Sequence, residues 1–152
     1  MLHAARLTHV QFICDAPGGR TWFRIESEGE AVDESRLMQH AVEKYFRRDR
    51  EKAAASYQSA NPRSIERDIG RDAHIQREMP LFLTLRDREG TALATAMLPP
   101  GGKNDAGFRF IIVGPNNGDP YLSHEDAITA LGTHYDLKLE RERCYPYARY
   151  GA

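Results

Sequence analysis

The sequence predicts an α+β fold, an antiparallel sheet in the order β-β-α-α-β-β-β-α-β with helices mainly on one face. Three observations predict it. Apolar and polar residues alternate on both sides of a Pro-Gly-Gly turn near the start of the chain. A long run after Asp33 then carries apolar residues at helical spacing. Three further alternating runs, divided by turns, fill residues 81–113. The length of 152 residues suits one domain, residues 1–152.

The first hairpin spans 7–27. Val10, Phe12 and Cys14 alternate with His9, Gln11 and Ile13, Asp15-Ala-Pro-Gly-Gly19 supplies the turn, and Thr21-Trp-Phe-Arg-Ile-Glu26 returns. An acidic stretch (Glu26, Glu28, Glu30, Asp33, Glu34) leads into a helix, where the dipole favours carboxylates. With no Gly or Pro to interrupt it, that helix is expected from about Asp33 to Tyr57. Its stripe is Leu37, Met38, Ala41, Val42, Tyr45 and Phe46. Past Phe46 the stripe thins into Arg47-Arg-Asp-Arg-Glu-Lys52, so the second half is expected to project or meet a partner.

Asn61-Pro62 ends the helix. Ser64 is placed to cap a shorter one with Ile65 and Ile69, and Gly70 to end or bend it. Residues 63–80 are open between helix and loop. Leu81–Leu85, Thr91–Leu98 and Phe108–Val113 form a three-strand meander, with a turn at Asp87–Gly90 and a long exposed loop over 99–106. Ser123 and Asp126 resemble a capping box for a helix burying Ile128 and Leu131. A last strand is expected over Asp136–Arg143, from the alternation of Leu137 and Leu139 with Lys138 and Glu140.

Composition excludes broad classes. At 41% hydrophobic and 28% charged, the chain is too apolar for a disordered protein. Lys+Arg 21 against Asp+Glu 22 gives a net charge of −1, which removes the global argument for a DNA packager or membrane binder. No stretch approaches the ~20 apolar residues of a membrane span, and the N-terminus lacks a signal-peptide pattern. Cys14 and Cys144 are too few for a disulfide framework, so a cytoplasmic protein with reduced thiols is expected, their spacing left open.

Chemical motifs are sparse. Pro17-Gly-Gly-Arg20 and Pro100-Gly-Gly-Lys103 each precede a Phe-Arg strand segment, and could present backbone N–H groups and one cation to an anion, or serve as turns. Met97 and Asn104 stand where a phosphate-binding P-loop needs Gly and Ser or Thr. The histidines (His3, His9, His40, His74, His124, His134) form no His-x-x-x-His pair, and no metal site is expected. No Gly-x-Ser-x-Gly elbow exists. Cys14 reads as a small core residue unless a His and a positive field surround it.

The tail interleaves Arg141, Arg143 and Arg149 with Tyr145, Tyr147 and Tyr150, a spacing that suits base stacking and phosphate contacts or docking of the C-terminus on a core edge. Arg47, Arg48 and Arg50 would extend that surface if helix and tail are neighbours.

Leu81–Val113 followed by Ser123–Tyr135 is similar in element order to the acetyl-CoA-dependent acyltransferase superfamily. That resemblance implies a pyrophosphate-binding turn of the form Arg/Gln-x-x-Gly-x-Gly/Ala. Here the turn reads Val113-Gly-Pro-Asn-Asn-Gly-Asp-Pro-Tyr121, with Pro115 and Pro120 removing donors and Asp119 adding a repelling charge.

The expectation is therefore an accessory or binding module that recognises a protein or an anionic small molecule without covalent chemistry. Arg20, Lys103, Arg141, Arg143, Tyr145, Tyr147 and Arg149 are the candidate ligand- or partner-binding residues. No cofactor is expected. A protein partner or self-association, with a homodimer as one form, ranks before a small anionic ligand. The alternatives are an enzyme on an acyltransferase-like scaffold using His124 or Cys14, and nucleic-acid binding through the tail.

Overall fold

The structure, a computed structural model, describes residues 11–60, 70–104 and 108–150. Five antiparallel strands lie side by side in chain order: β1 (Gln11–Ala16), β2 (Arg20–Arg24), β3 (Leu81–Arg86), β4 (Ala92–Leu98) and β5 (Ile111–Val113). The helices are α1 (Glu28–Met38), α2 (Val42–Ala60), α3 (Arg71–Glu78), α4 (Tyr121–Tyr135) and the single turn α5 (Tyr147–Tyr150). The mixed α+β class and its antiparallel meander are as the alternation predicts.

Strand alternation sends successive side chains to opposite faces, and each face has its own core. Trp22, Leu83, Leu85, Ala96 and Ile112 point toward α4, where Ile128 and Leu131 meet them. Trp22 is fully buried, and its Nε1–H donates to the Ala127 carbonyl at 2.8 Å. On the other face Phe82 joins Ile25 and packs with Ala31, Phe46, Ala53 and Ile75 from α1, α2 and α3. Three of the four long helices thus share one face.

The single helix expected over 33–57 is two helices, and it begins earlier. Ser27 and Glu30 form a reciprocal capping box that starts α1 at Glu28, inside the acidic stretch. Gln39 then turns left-handed (φ 56), and the His40 N–H reaches back to the Ser35 carbonyl at 3.3 Å. This six-to-one bond closes the helix as a Schellman motif without glycine. Ser35 Oγ accepts from the Glu43 N–H at 3.0 Å, so α1 caps the helix that follows. The second half of α2 does not project: Ala53 and Tyr57 are buried, and the Tyr57 ring packs 4.9 Å from His74 on α3. One face of this half is thus taken up by α3, while Glu51, Lys52 and Ser56 stay exposed.

The expected cap at Ser64 and the beginning of the first hairpin lie outside the described residues. Gly70 precedes α3, which makes 71–78 helical. The part of the expected 99–106 loop within the described residues, 99–104, is less exposed than expected, because Gly102 is buried in the turn Pro100–Gly102. Helix α4 starts at Tyr121 rather than at a Ser123 cap, with Asp119 Oδ1 accepting from the Tyr121 N–H at 2.9 Å.

Residues 136–143 form no strand. Asp136 is left-handed (φ 57), and the Leu137 N–H bonds the Gly132 carbonyl at 2.8 Å in a second Schellman closure. Leu137 and Leu139 do turn inward, and the Tyr121 hydroxyl donates to the Leu139 carbonyl at 2.7 Å. The chain rejoins the sheet only at Tyr145, which makes a parallel bridge to Ile111.

Candidate functional site

The α1–α2 junction, β4, β5 and the Tyr145-Pro146 segment enclose an apolar cleft of about 290 Å3. Register builds its floor. Thr95 pairs with Val113 and Met97 with Ile111, so these four side chains point to the same face. Val42 and Tyr45 from the start of α2 form one wall, and Tyr145 with Pro146, joined by a cis peptide bond, forms another. Closure of α1 at Gln39 is what delivers His40 to the wall.

A buried polar chain backs this wall. Arg86 Nη2 donates to Glu34 Oε1 at 2.7 Å, with both side chains almost wholly inaccessible. The Thr95 hydroxyl donates to Glu34 Oε2 at 2.5 Å. Thr95 has one proton and gives it to Glu34, so the His40 contact of 2.9 Å must be a donation from Nε2–H to Thr95 Oγ1. His40 Nδ1 is then the acceptor for the Val42 N–H, at a long 3.4 Å. Burial pushes the His40 pKa below the ordinary histidine value, against the opposing pull of Glu34. The wall is thus neutral at neutral pH. Arg86 also donates to Thr84 Oγ1 and the Gly90 carbonyl, both at 3.0 Å, so its desolvated charge is well supported.

The candidate residues named from the sequence scatter around this centre. Tyr145 lines the cleft. Arg143 lies just beyond it, paired with Glu140 at 3.4 Å. Arg141 is committed elsewhere: its Nε donates to Asp119 at 2.6 Å, and its guanidinium lies 4.4 Å from the Tyr147 ring centroid. Tyr147 packs edge-on to Tyr121 and donates to the Gly118 carbonyl at 3.1 Å. Burial pushes the Tyr147 phenol up to about 12. The Arg141–Tyr147 pair docks the tail onto the turn before α4 and onto Tyr121. The Arg149 side chain lies outside the described residues.

The two Pro-Gly-Gly loops do adopt one conformation, with φ of 76° and 74° at Gly18 and Gly19, and 67° and 70° at Gly101 and Gly102. They do not form a joint anion site. Thr21 pairs with Arg86 and Leu81 with Leu98, which puts Arg20 and the exposed Lys103 at opposite ends of the sheet. Arg20 bonds His124 Nδ1 at 2.9 Å and Asp126 at 2.7 Å. Burial, then Arg20, lower the His124 pKa.

Cys14 has its thiol pKa raised by burial and by Asp15, the reverse of nucleophile activation. In the turn before α4 the Gly114, Gly118 and Tyr121 N–H groups are all bonded within the turn. They are therefore not open to a pyrophosphate. Among the described residues no cluster of His, Cys, Asp and Glu could hold a metal ion, and no helix is long and apolar enough to cross a membrane.

Sequence reasoning missed His40, Glu34, Thr95 and Arg86. An isolated histidine and a glutamate within an acidic run carry no signal of convergence until the helix break brings them to the sheet.

Fold and cleft define an α+β domain with an antiparallel sheet, cored on both faces and holding a neutral apolar cleft at one sheet edge. No protein-family profile, curated protein or solved structure matches the chain.

Proposed function

We propose that the chain is a small binding module, acting by recognition and without covalent chemistry, and that the His40 cleft is where it recognises its ligand. One observation carries this reading. A fully buried ion pair is spent on fixing a neutral histidine in one tautomer on the wall of an apolar cleft. Buried charge is costly, and fixing a surface is a use that offsets it. The cleft lies near the small end of ligand pockets, which run roughly 300–1,000 Å3, so the occupant is a small apolar molecule or one apolar group of a partner. The proposed setting is the cytoplasm, where unpaired thiols stay reduced.

The test is calorimetric titration of the full chain with 1-butanol, 1-hexanol and 1-octanol. Each added methylene transfers about 0.8 kcal/mol of apolar surface from water, so affinity should rise about fourfold per carbon until the cleft is full. Val113→Trp should fill the cleft and abolish the trend, with circular dichroism confirming the fold. Affinity independent of chain length, or unchanged by Val113→Trp, overturns the proposal.

A further inference from the structure

We infer that the ligand of the cleft is an anionic amphiphile, with its apolar body among Ile111, Val113 and Met97 and its carboxylate held by Arg109 and Arg143. This rests on reading the cleft as a binding site, and adds the charge of the ligand and the residues that select it.

Tyr145 is the hinge of the inference, because it lines two concavities. One is the apolar cleft, and the other is a shallow depression of about 360 Å3 formed with Phe108, Arg109, Phe110, Arg143 and Ala148. The Arg109 guanidinium carbon lies 5.4 Å from the Tyr145 ring centroid. Phe110 packs toward the same core as Ile112. Arg109 and Arg143 thus line the depression that adjoins the cleft through Tyr145.

The charge in this depression is positive. Arg109 is exposed, and among the described residues it has no carboxylate partner. Arg143 has Glu140 at 3.4 Å, with side chains 60% and 58% exposed, a pair weak enough to exchange for another carboxylate. Among the described residues, two guanidiniums against one carboxylate leave a net charge of +1 in this depression. Guanidinium groups suit bidentate carboxylate binding. The neutral His40 wall offers nothing to a charge inside the cleft. A molecule with an apolar body and a terminal acid matches both halves, whereas an alcohol or a simple anion matches one.

The experiment titrates the full chain with octanoate, 1-octanol and acetate at neutral pH, at low and at high salt. Octanoate should bind about five- to tenfold more tightly than 1-octanol, as expected for one or two exposed charge pairs, and the advantage should shrink as salt rises. The double substitution Arg109→Gln with Arg143→Gln should collapse the ratio of the two affinities toward one. If 1-octanol binds and octanoate has no advantage, or keeps its advantage in the double variant, the anion site is wrong and the cleft stands. Acetate binding as tightly as octanoate would show anion capture alone and overturn the amphiphile. If neither eight-carbon ligand binds, the cleft proposal falls together with this one.

Discussion

Glu34 sits fully buried, and Arg86 and Thr95 are what make that tolerable. Replacing it with alanine leaves the Arg86 charge uncompensated. Glu34→Ala should therefore lower unfolding stability by about 3–5 kcal/mol, measured by urea denaturation. A loss near zero would show the pair to be dispensable.

Histidine titration gives a second test at this scale. The His40 and His124 pKa values are lowered in the folded chain from the ordinary 6.5. The unfolded chain then binds protons first as pH falls, so their contribution is fully present above about 6.5 and is lost below it. Urea curves at neutral pH and at about one to two units lower should show that loss, and His40→Gln should reduce it. An unchanged pH slope in His40→Gln would remove His40 from the explanation. None of this was legible in the sequence. Glu34 reads as one more solvated carboxylate at a helix start, because nothing local records that Arg86, 52 residues away, will lie over it.

At the scale of elements, the junction between α1 and α2 is decisive. A left-handed conformation at a residue with a Cβ costs roughly 1–2 kcal/mol, and Gln39 adopts it at φ 56. Gln39→Gly should therefore stabilise the chain by about 0.5–1 kcal/mol after its own entropy cost, seen as a higher urea midpoint. Destabilisation would mean that the Gln39 Nε2–H donation to the Arg36 carbonyl at 2.8 Å outweighs the strain.

Gly102 is the converse case. It has φ +70, and an added Cβ would lie 2.2 Å from Tyr135 Cδ1.

The helix break at Gln39 escaped the sequence reading because no Gly or Pro marks it, whereas the end of α4 at Tyr135 is where the sequence places it. The Ser27-Glu-Gly-Glu30 capping box was legible by spacing but lay hidden within the acidic stretch. The strands fared better, since alternation is set by burial on each face. Thus Leu81–Leu98 was readable almost residue by residue, while Leu137 and Leu139 alternated without a partner strand.

In the whole molecule, strand order decides what can meet. Cys14 lies on β1 at one edge, whereas Cys144 adjoins β5 at the other, four strand spacings of about 4.8 Å away. A bridge within one chain is therefore excluded by reach. Thiol titration of the unfolded chain after aerobic storage should find both free in the monomer, and an intramolecular disulfide would contradict the strand order.

Register separates Arg20 from Lys103, and the pairing beyond β5 brings Tyr145 to the cleft. This explains why a search for local motifs found one cleft residue and missed the others. The cleft joins the α1–α2 junction, two strands and the tail, and only the tail announced itself by composition.

The central claim is that small apolar ligands enter beside His40, and methyl NMR of the full chain titrated with 1-octanol tests it most directly. The methyl groups of Ile111, Val113 and Met97 should shift together and saturate, while those of Ile128 and Leu131 on the opposite face stay in place. Shifts confined to the α4 face, or spread evenly over both faces without saturation, would contradict it.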